Sequence, residues 1–169
     1  MNLSFDVITK EGDKIIVSLT SFYPYIKELI GDVFPQLEIV EISIVRESGT
    51  NPIKIEVFGK IAQVLISIAQ DNPNTILYYF CDLTQQIPCQ RIGRNLSYQE
   101  YRNNLFKLIF QRYNNESKEH WSDIEIELKS TQSEQTLFAH FLLRDQHLPL
   151  VDILRNEVLS NFKTISEQK

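Results

Sequence analysis

Apolar and polar positions alternate from the first residues of the chain. Leu3, Phe5 and Val7 are separated by Ser4 and Asp6, and after Lys10-Glu11-Gly12-Asp13 the alternation resumes at Ile15, Val17 and Leu19. A period of two with a polar, glycine-containing break predicts a β-hairpin. Pro24 suits the first turn of a short helix over 25–30, with Gly31 as its stop. Two more alternating runs follow, 37–45 and 53–57, and Ser48-Gly49-Thr50-Asn51-Pro52 has the composition of a turn between them. The apolar phase slips between Ile39 and Val40, which predicts a bulge there.

From residue 59 the period lengthens. Ile61, Val64, Leu65 and Ile68 lie at helical spacing, and Asp71-Asn72-Pro73 closes an amphipathic helix. The run Thr75-Ile76-Leu77-Tyr78-Tyr79-Phe80-Cys81 is apolar on both parities, as an inner strand covered on both faces must be. Asp82 ends it and opens a long loop over 83–97, a length usually associated with function. Ser97-Tyr98-Gln99-Glu100 fits the S-x-x-E capping box, so a helix should start there and run to about Tyr113, where Asn114-Asn115 can end it. Alternating runs over 123–129 and 136–143 predict a second hairpin. A last helix from Pro149 buries Leu150, Val151, Leu154, Val158 and Phe162. The reading is one α+β domain over residues 1–169, with a mixed, mostly antiparallel sheet of about seven strands and helices packed on it.

Composition narrows the chemistry. The chain has five glycines, Gly12, Gly31, Gly49, Gly59 and Gly93, never closer than ten residues to one another. Neither G-x-G-x-x-G nor G-x-x-x-x-G-K-[ST] can therefore be written, and glycine-rich phosphate cradles are excluded. The net charge of −5 disfavours binding a polyanion over the whole surface. No apolar run is long enough for a bilayer-spanning helix, so membrane insertion is not expected. The N-terminal residues lack the basic and apolar regions of a signal peptide, which makes the cytoplasm the expected location.

The total conceals an uneven distribution. Residues 83–114 hold Arg91, Arg94, Arg102, Lys107 and Arg112 against Glu100 alone. Arg102 and Arg112 both fall within the broad apolar arc of their helix, and an arginine drawn toward a core needs an anionic partner. That partner is either a carboxylate or phosphate ligand, gripped by two parallel hydrogen bonds, or an internal acid, for which Asp82 at the end of the preceding strand is the natural candidate. Tyr98, Tyr101 and Tyr113 interleave with these arginines, a composition that could stack bases, but the acidic total disfavours nucleic acid.

The remaining candidates are weaker. Cys81 and Cys89 are spaced as neither a zinc knuckle nor a redox pair, and with His120 and His140 no two have ligand spacing. Cys81 reads as a core residue, whereas Cys89, near Arg91 and Arg94, could be a reactive thiol. Asp123, Glu125 and Glu127 project from one strand face. A solvated face that receives the arginines of the preceding helix is a better reading of them than a metal site. His140 shares its face with Phe138 and Leu142 and reads as a hydrogen-bonded structural histidine.

The strand Ile76–Asp82, ending in Cys-Asp, followed by Arg102-Asn103-Asn104-Leu105-Phe106 and on to Tyr113, resembles an uncharacterised bacterial domain-of-unknown-function family over about residues 60–162. Asn104 stands where that family usually has a second basic residue and Ile109 where it usually has Trp. The family supplies no activity. The element order over 53–143 also looks like that of GCN5-related N-acetyltransferases. That resemblance implies an acetyltransferase-like fold, acetyl-CoA as cofactor, and a pyrophosphate site at the turn Val57-Phe58-Gly59-Lys60, hence Gly59 and Lys60 as cofactor residues, with Tyr98 or Tyr113 as general acid. The family's own turn motif is missing, only Gly59 matching it. The sequence therefore favours a cytoplasmic binding module over an enzyme. It would need no cofactor, and its basic loop and helix, residues 91–112, would take a protein or an anionic small molecule through Asp82, Arg91, Arg94, Arg102 and Arg112.

Overall fold

The computed structural model describes residues 1–22, 34–51, 53–81, 97–116, 120–129 and 136–167. The predicted first hairpin is β1 (Asn2–Ile8) and β2 (Lys14–Ser21), followed by β3 (Glu38–Ser48), helix α1 (Ile55–Asp71), β4 (Thr75–Cys81), helix α2 (Tyr98–Glu116), the hairpin β5 (Trp121–Lys129) and β6 (Thr136–Arg144), and helix α3 (Val151–Glu167). A 3-10 turn, Asp145–Leu150, holds Pro149 and leads into α3. The six strands form one sheet in the order β1-β2-β3-β4-β6-β5. Every pair is antiparallel except β3 and β4, which are parallel because α1 carries the chain back between them.

The α+β class and the mixed sheet agree with the sequence, and the described residues form a sheet of six strands where about seven were expected. The run 53–57 is not a strand: its second half is the first turn of α1, which begins at Ile55. Five alternating residues satisfy a strand period, but Phe58, Ile61, Leu65 and Ala69 are also spaced for one helix face, and that face is the one buried on the sheet. Ile55, which a strand would have buried, is 52% exposed. The turn expected at 57–60 is consequently helical, with Gly59 buried in α1 and Lys60 exposed. The bulge also lies elsewhere. Ile39 and Val40 are both buried because β3 is covered on both faces, and the register shift falls where Lys14 pairs with Ser48 and Ile15 with Arg46. The short helix expected over 25–30 lies outside the described residues.

Each face of the sheet has its own core. On one face α1 and α2 cover Val17, Leu19, Val40, Leu77, Tyr79 and Leu142, with Phe58, Ile61, Leu65 and Phe110 supplied by the helices. On the other, α3 contributes Leu154 and Val158 against Ile39, Ile76, Tyr78, Ile126, Phe141 and Leu143. Burial on both sides explains why β4 reads as a continuous apolar run, and it leaves Cys81 fully buried.

Two polar devices hold the ends of these elements. Asp13, 2% exposed, accepts hydrogen bonds from the backbone nitrogen of Asn51 (3.0 Å) and from its Nδ2 (2.8 Å). Gly49, at φ +91°, passes so close that a Cβ built on it would overlap the Asp13 carboxylate. Arg144 donates from Nη2 to the Ala69 carbonyl (2.6 Å) and from Nη1 to the Pro73 carbonyl (2.9 Å). Its guanidinium lies 4.3 Å from the centre of the Trp121 ring, so one side chain satisfies the exposed carbonyl end of α1 and stacks on β5.

Candidate functional site

The parallel pair is where the sheet opens. Hydrogen-bonded register between β3 and β4 runs from Glu38–Thr75 to Ile42–Tyr79 and stops there, although β3 continues to Ser48 and β4 to Cys81. Two adjoining chambers occupy the region past that point. One, of about 70 Å³, lies between the strands and is lined by Glu41, Ser43, Phe80 and Arg102 among others. The second, of about 50 Å³, lies between α1 and α2 above the sheet, with Phe58, Ile61, Leu65, Leu105 and Phe106 among its walls. Ile44, Tyr79 and Arg102 line both, so they mark the junction.

Helix α2 sets Arg102 there. Its start is the predicted capping box: Glu100 accepts from the Ser97 backbone nitrogen (2.7 Å) and the Ser97 hydroxyl accepts from that of Glu100 (3.2 Å). Its end is tied to β5 by Asn114, whose Nδ2 donates to the Trp121 carbonyl (2.8 Å) and whose Oδ1 accepts from the Trp121 nitrogen (3.0 Å). Between these ties the buried line of the helix is Gln99, Arg102, Asn103 and Phe110. Arg102 is 5% exposed. Arg112 is exposed, which corrects the expectation that both arginines face inward. The apolar arc of the sequence is not the buried arc, because polar Gln99 and Asn103 occupy the centre of the line that meets the sheet.

Asn103 meets a buried network on β5 and β6. His140 is fully buried, with Nδ1 2.9 Å from Asp123 Oδ1 and Nε2 2.7 Å from Asn103 Oδ1. Asn103 also donates a hydrogen bond to Glu125, and the Lys107 ammonium pairs with the same carboxylate. His140 is thus held between Asp123 on its own hairpin and Asn103 on α2. Burial opposes ionisation of Glu125, but hydrogen bonds from Lys107 and Asn103 and the charges of Lys107 and His140 outweigh it and hold its carboxyl below the usual carboxylate range. Phe106 separates this network from the chambers, its ring 4.9 Å from that of His140 and stacked on Tyr79 at 4.6 Å and 11°.

The expectation of a hydrogen-bonded structural His140 therefore holds. The acidic face of β5 is half-buried rather than solvated at Asp123 and Glu125, and what it receives is the Lys107 ammonium and the His140 ring. Glu127, further along, faces Lys129 at 3.4 Å. Among the described residues no group of three or more His, Cys, Asp or Glu side chains could hold a metal ion. No described helix is long and apolar enough to cross a membrane.

Asp82, Arg91, Arg94 and Cys89 lie outside the described residues, as do the side chains of Tyr98 and Tyr113. Of the remaining candidates, Arg102 alone reaches the opening, since Arg112 is exposed and Gly59 and Lys60 lie in α1. Glu41, Ser43 and Tyr79 were not singled out in the sequence. Their signal is the overlap of two parallel strands, which is a property of topology. Asn103 had a local signal, since it stands four residues from Gln99 and four from Lys107 and so forms a polar line facing an acidic strand. No family model, curated protein or solved structure matches this chain.

Proposed function

We propose that this protein binds a small molecule bearing a carboxylate or phosphate in the crevice between β3 and β4, with Arg102 as its anchor. The observation behind this reading is one coincidence: strand pairing stops at Ile42–Tyr79, and a guanidinium only 5% exposed lines the space beyond. The region past the carboxyl ends of parallel strands is where open sheets collect ligands, and a planar guanidinium grips two oxygens at once. Arg91 and Arg94 belong to the segment joining β4 to α2, so their charge adds to the attraction of an anion toward these strand ends.

Thermal unfolding with sodium acetate or phosphate, against sodium chloride of equal ionic strength, tests the proposal. A ligand at 100 times its dissociation constant stabilises the fold by about 2.7 kcal/mol. Stabilisation by acetate or phosphate is expected for the natural sequence, reduced in R91E/R94E and lost in Arg102→Gln. Identical unfolding in all three salts would refute it.

A second reading, an acyl-CoA-dependent N-acyltransferase, draws support from the strand-helix-strand-helix-hairpin order, which spans Glu38–Arg144. It ranks lower because Glu56 occupies the first turn of α1, where an acid repels pyrophosphate, and because Gly59 lies within the helix. Millimolar acetyl-CoA without a thermal shift would remove it.

A further inference from the structure

We propose that β1 is a dimerisation edge, through which two copies of this chain pair antiparallel about a two-fold axis at Phe5 and join their sheets into one. The inference is independent of the crevice and of any ligand there. Three observations carry it.

The first is an edge without protection. The sheet ends at β1 on one side and at β5 on the other. β1 pairs with β2 from Asn2–Thr20 to Ile8–Lys14 without a bulge, and among the described residues its other edge has no neighbouring strand. Edge strands are normally kept from pairing by lysine, proline or a bulge, and Asn-Leu-Ser-Phe-Asp-Val-Ile holds none of these. β5 differs. A two-fold axis perpendicular to the sheet sets residues of the same face opposite one another. Asp123, Glu125 and Glu127 share one face of β5, so acid would meet acid in any register that overlaps most of that strand.

The second observation is an apolar face left incomplete. Leu3, Phe5 and Val7 stand opposite Leu19, Val17 and Ile15, which are fully buried on the face that α1 covers. Yet Leu3 is 47% exposed, and Phe5 and Val7 are only half-buried. The same three residues of a second copy would continue this apolar row across the axis.

The third is charge, which selects the register. With the axis at Phe5, every residue of β1 has a partner in the other copy. Leu3 faces Val7 of the second copy, Phe5 faces Phe5, Asn2 faces Ile8, and Ser4 faces Asp6. Each Asp6 carboxylate thus meets a hydroxyl that can donate to it, and the two phenyl rings form a cross-strand pair. Moving the axis to Asp6 would set the two carboxylates against each other. Moving it to Ser4 would leave Val7 and Ile8 beyond the end of the other β1.

Sedimentation velocity of the full chain across a dilution series tests the proposal. A concentration-dependent equilibrium between monomer and dimer is expected. Ser4 is exposed, so its substitutions leave the core untouched. Ser4→Lys sets an ammonium against each Asp6 of the second copy and should tighten the dimer about fivefold; Ser4→Asp sets a carboxylate there and should weaken it about fivefold. Leu3→Lys, which puts a charge on the apolar row, should also weaken the dimer, and it keeps the test decisive if Ser4→Asp does not fold. A chain that stays monomeric at every concentration, leaving the edge to a strand of another protein or to none, overturns the proposal. So does a dimer that all three variants leave unchanged, because it must use another surface. A dimer weakened by both Ser4→Lys and Ser4→Asp sets Ser4 against Ser4 and overturns the axis at Phe5.

Discussion

Replacing Asp123 by alanine removes one of the two hydrogen-bond partners of a fully buried histidine. His140 has no exposed surface, and its Nδ1 lies 2.9 Å from Asp123 while Nε2 lies 2.7 Å from Asn103. A buried polar group left without its partner costs about 1–3 kcal/mol. The Asp123 side chain is itself 15% exposed, so water can partly replace it, which sets the expectation at about 2 kcal/mol. Urea unfolding at neutral pH measures the loss. In a His140→Phe background the same substitution should cost less than about 1 kcal/mol, giving a coupling of about 1 kcal/mol. Asp123→Asn keeps an acceptor, so it should fall between Asp123→Ala and the natural sequence. A cost below about 0.5 kcal/mol for Asp123→Ala, or strict additivity with His140→Phe, would refute the hydrogen-bonded network.

Gly49→Ala should destabilise by about 1–2 kcal/mol from its left-handed backbone alone, and further because the new Cβ displaces Asp13 from Asn51; unchanged thermal stability would mean the turn rearranges freely. Arg144→Lys should cost about 2–3 kcal/mol, because an ammonium cannot hold the Ala69 and Pro73 carbonyls while stacking on Trp121; amide hydrogen exchange should show the last turn of α1 losing protection. Burial, and then the charge of Arg144, push His147 below its ordinary value. The unfolded chain therefore takes up that proton at higher pH than the folded one. The stability concerned is present above the ordinary histidine pKa of about 6.5 and is lost as pH falls through the lowered folded value. Urea midpoints measured from about pH 8 to 5 should decline less in His147→Gln than in the natural sequence.

Much of the fold is legible in one dimension because its determinants are local. The first hairpin, the doubly covered β4, the Ser97–Glu100 cap and the apolar face of α3 each follow from period, turn chemistry or capping within a dozen residues. The helical face of α1 is equally local, but its beginning is not. Residues 53–57 fit either period, and only the burial of Phe58 and Ile61 on the sheet decides for the helix. The same limit explains Arg112 and Arg102. Both carry the same charge on one helix, and contact of the Gln99–Asn103 line with β5 and β6 turns one inward and the other to water.

The candidate site lies almost wholly on the nonlocal side. Local pattern identified Arg102 as a cation that needs a partner, and His140 as a hydrogen-bonded residue. Nothing local joins Glu41 and Ser43 on β3, Tyr79 on β4 and Arg102 on α2 around one opening. That meeting depends on which strands lie side by side, on α1 making β3 and β4 parallel, and on where their pairing stops. Hydrophobic periodicity records which side of an element is buried, whereas a crevice is made by the packing of elements far apart in the chain. The positions of the apolar residues were thus enough for the elements and their core faces, and the tertiary arrangement alone converted a buried arginine into the junction of a polar and an apolar chamber.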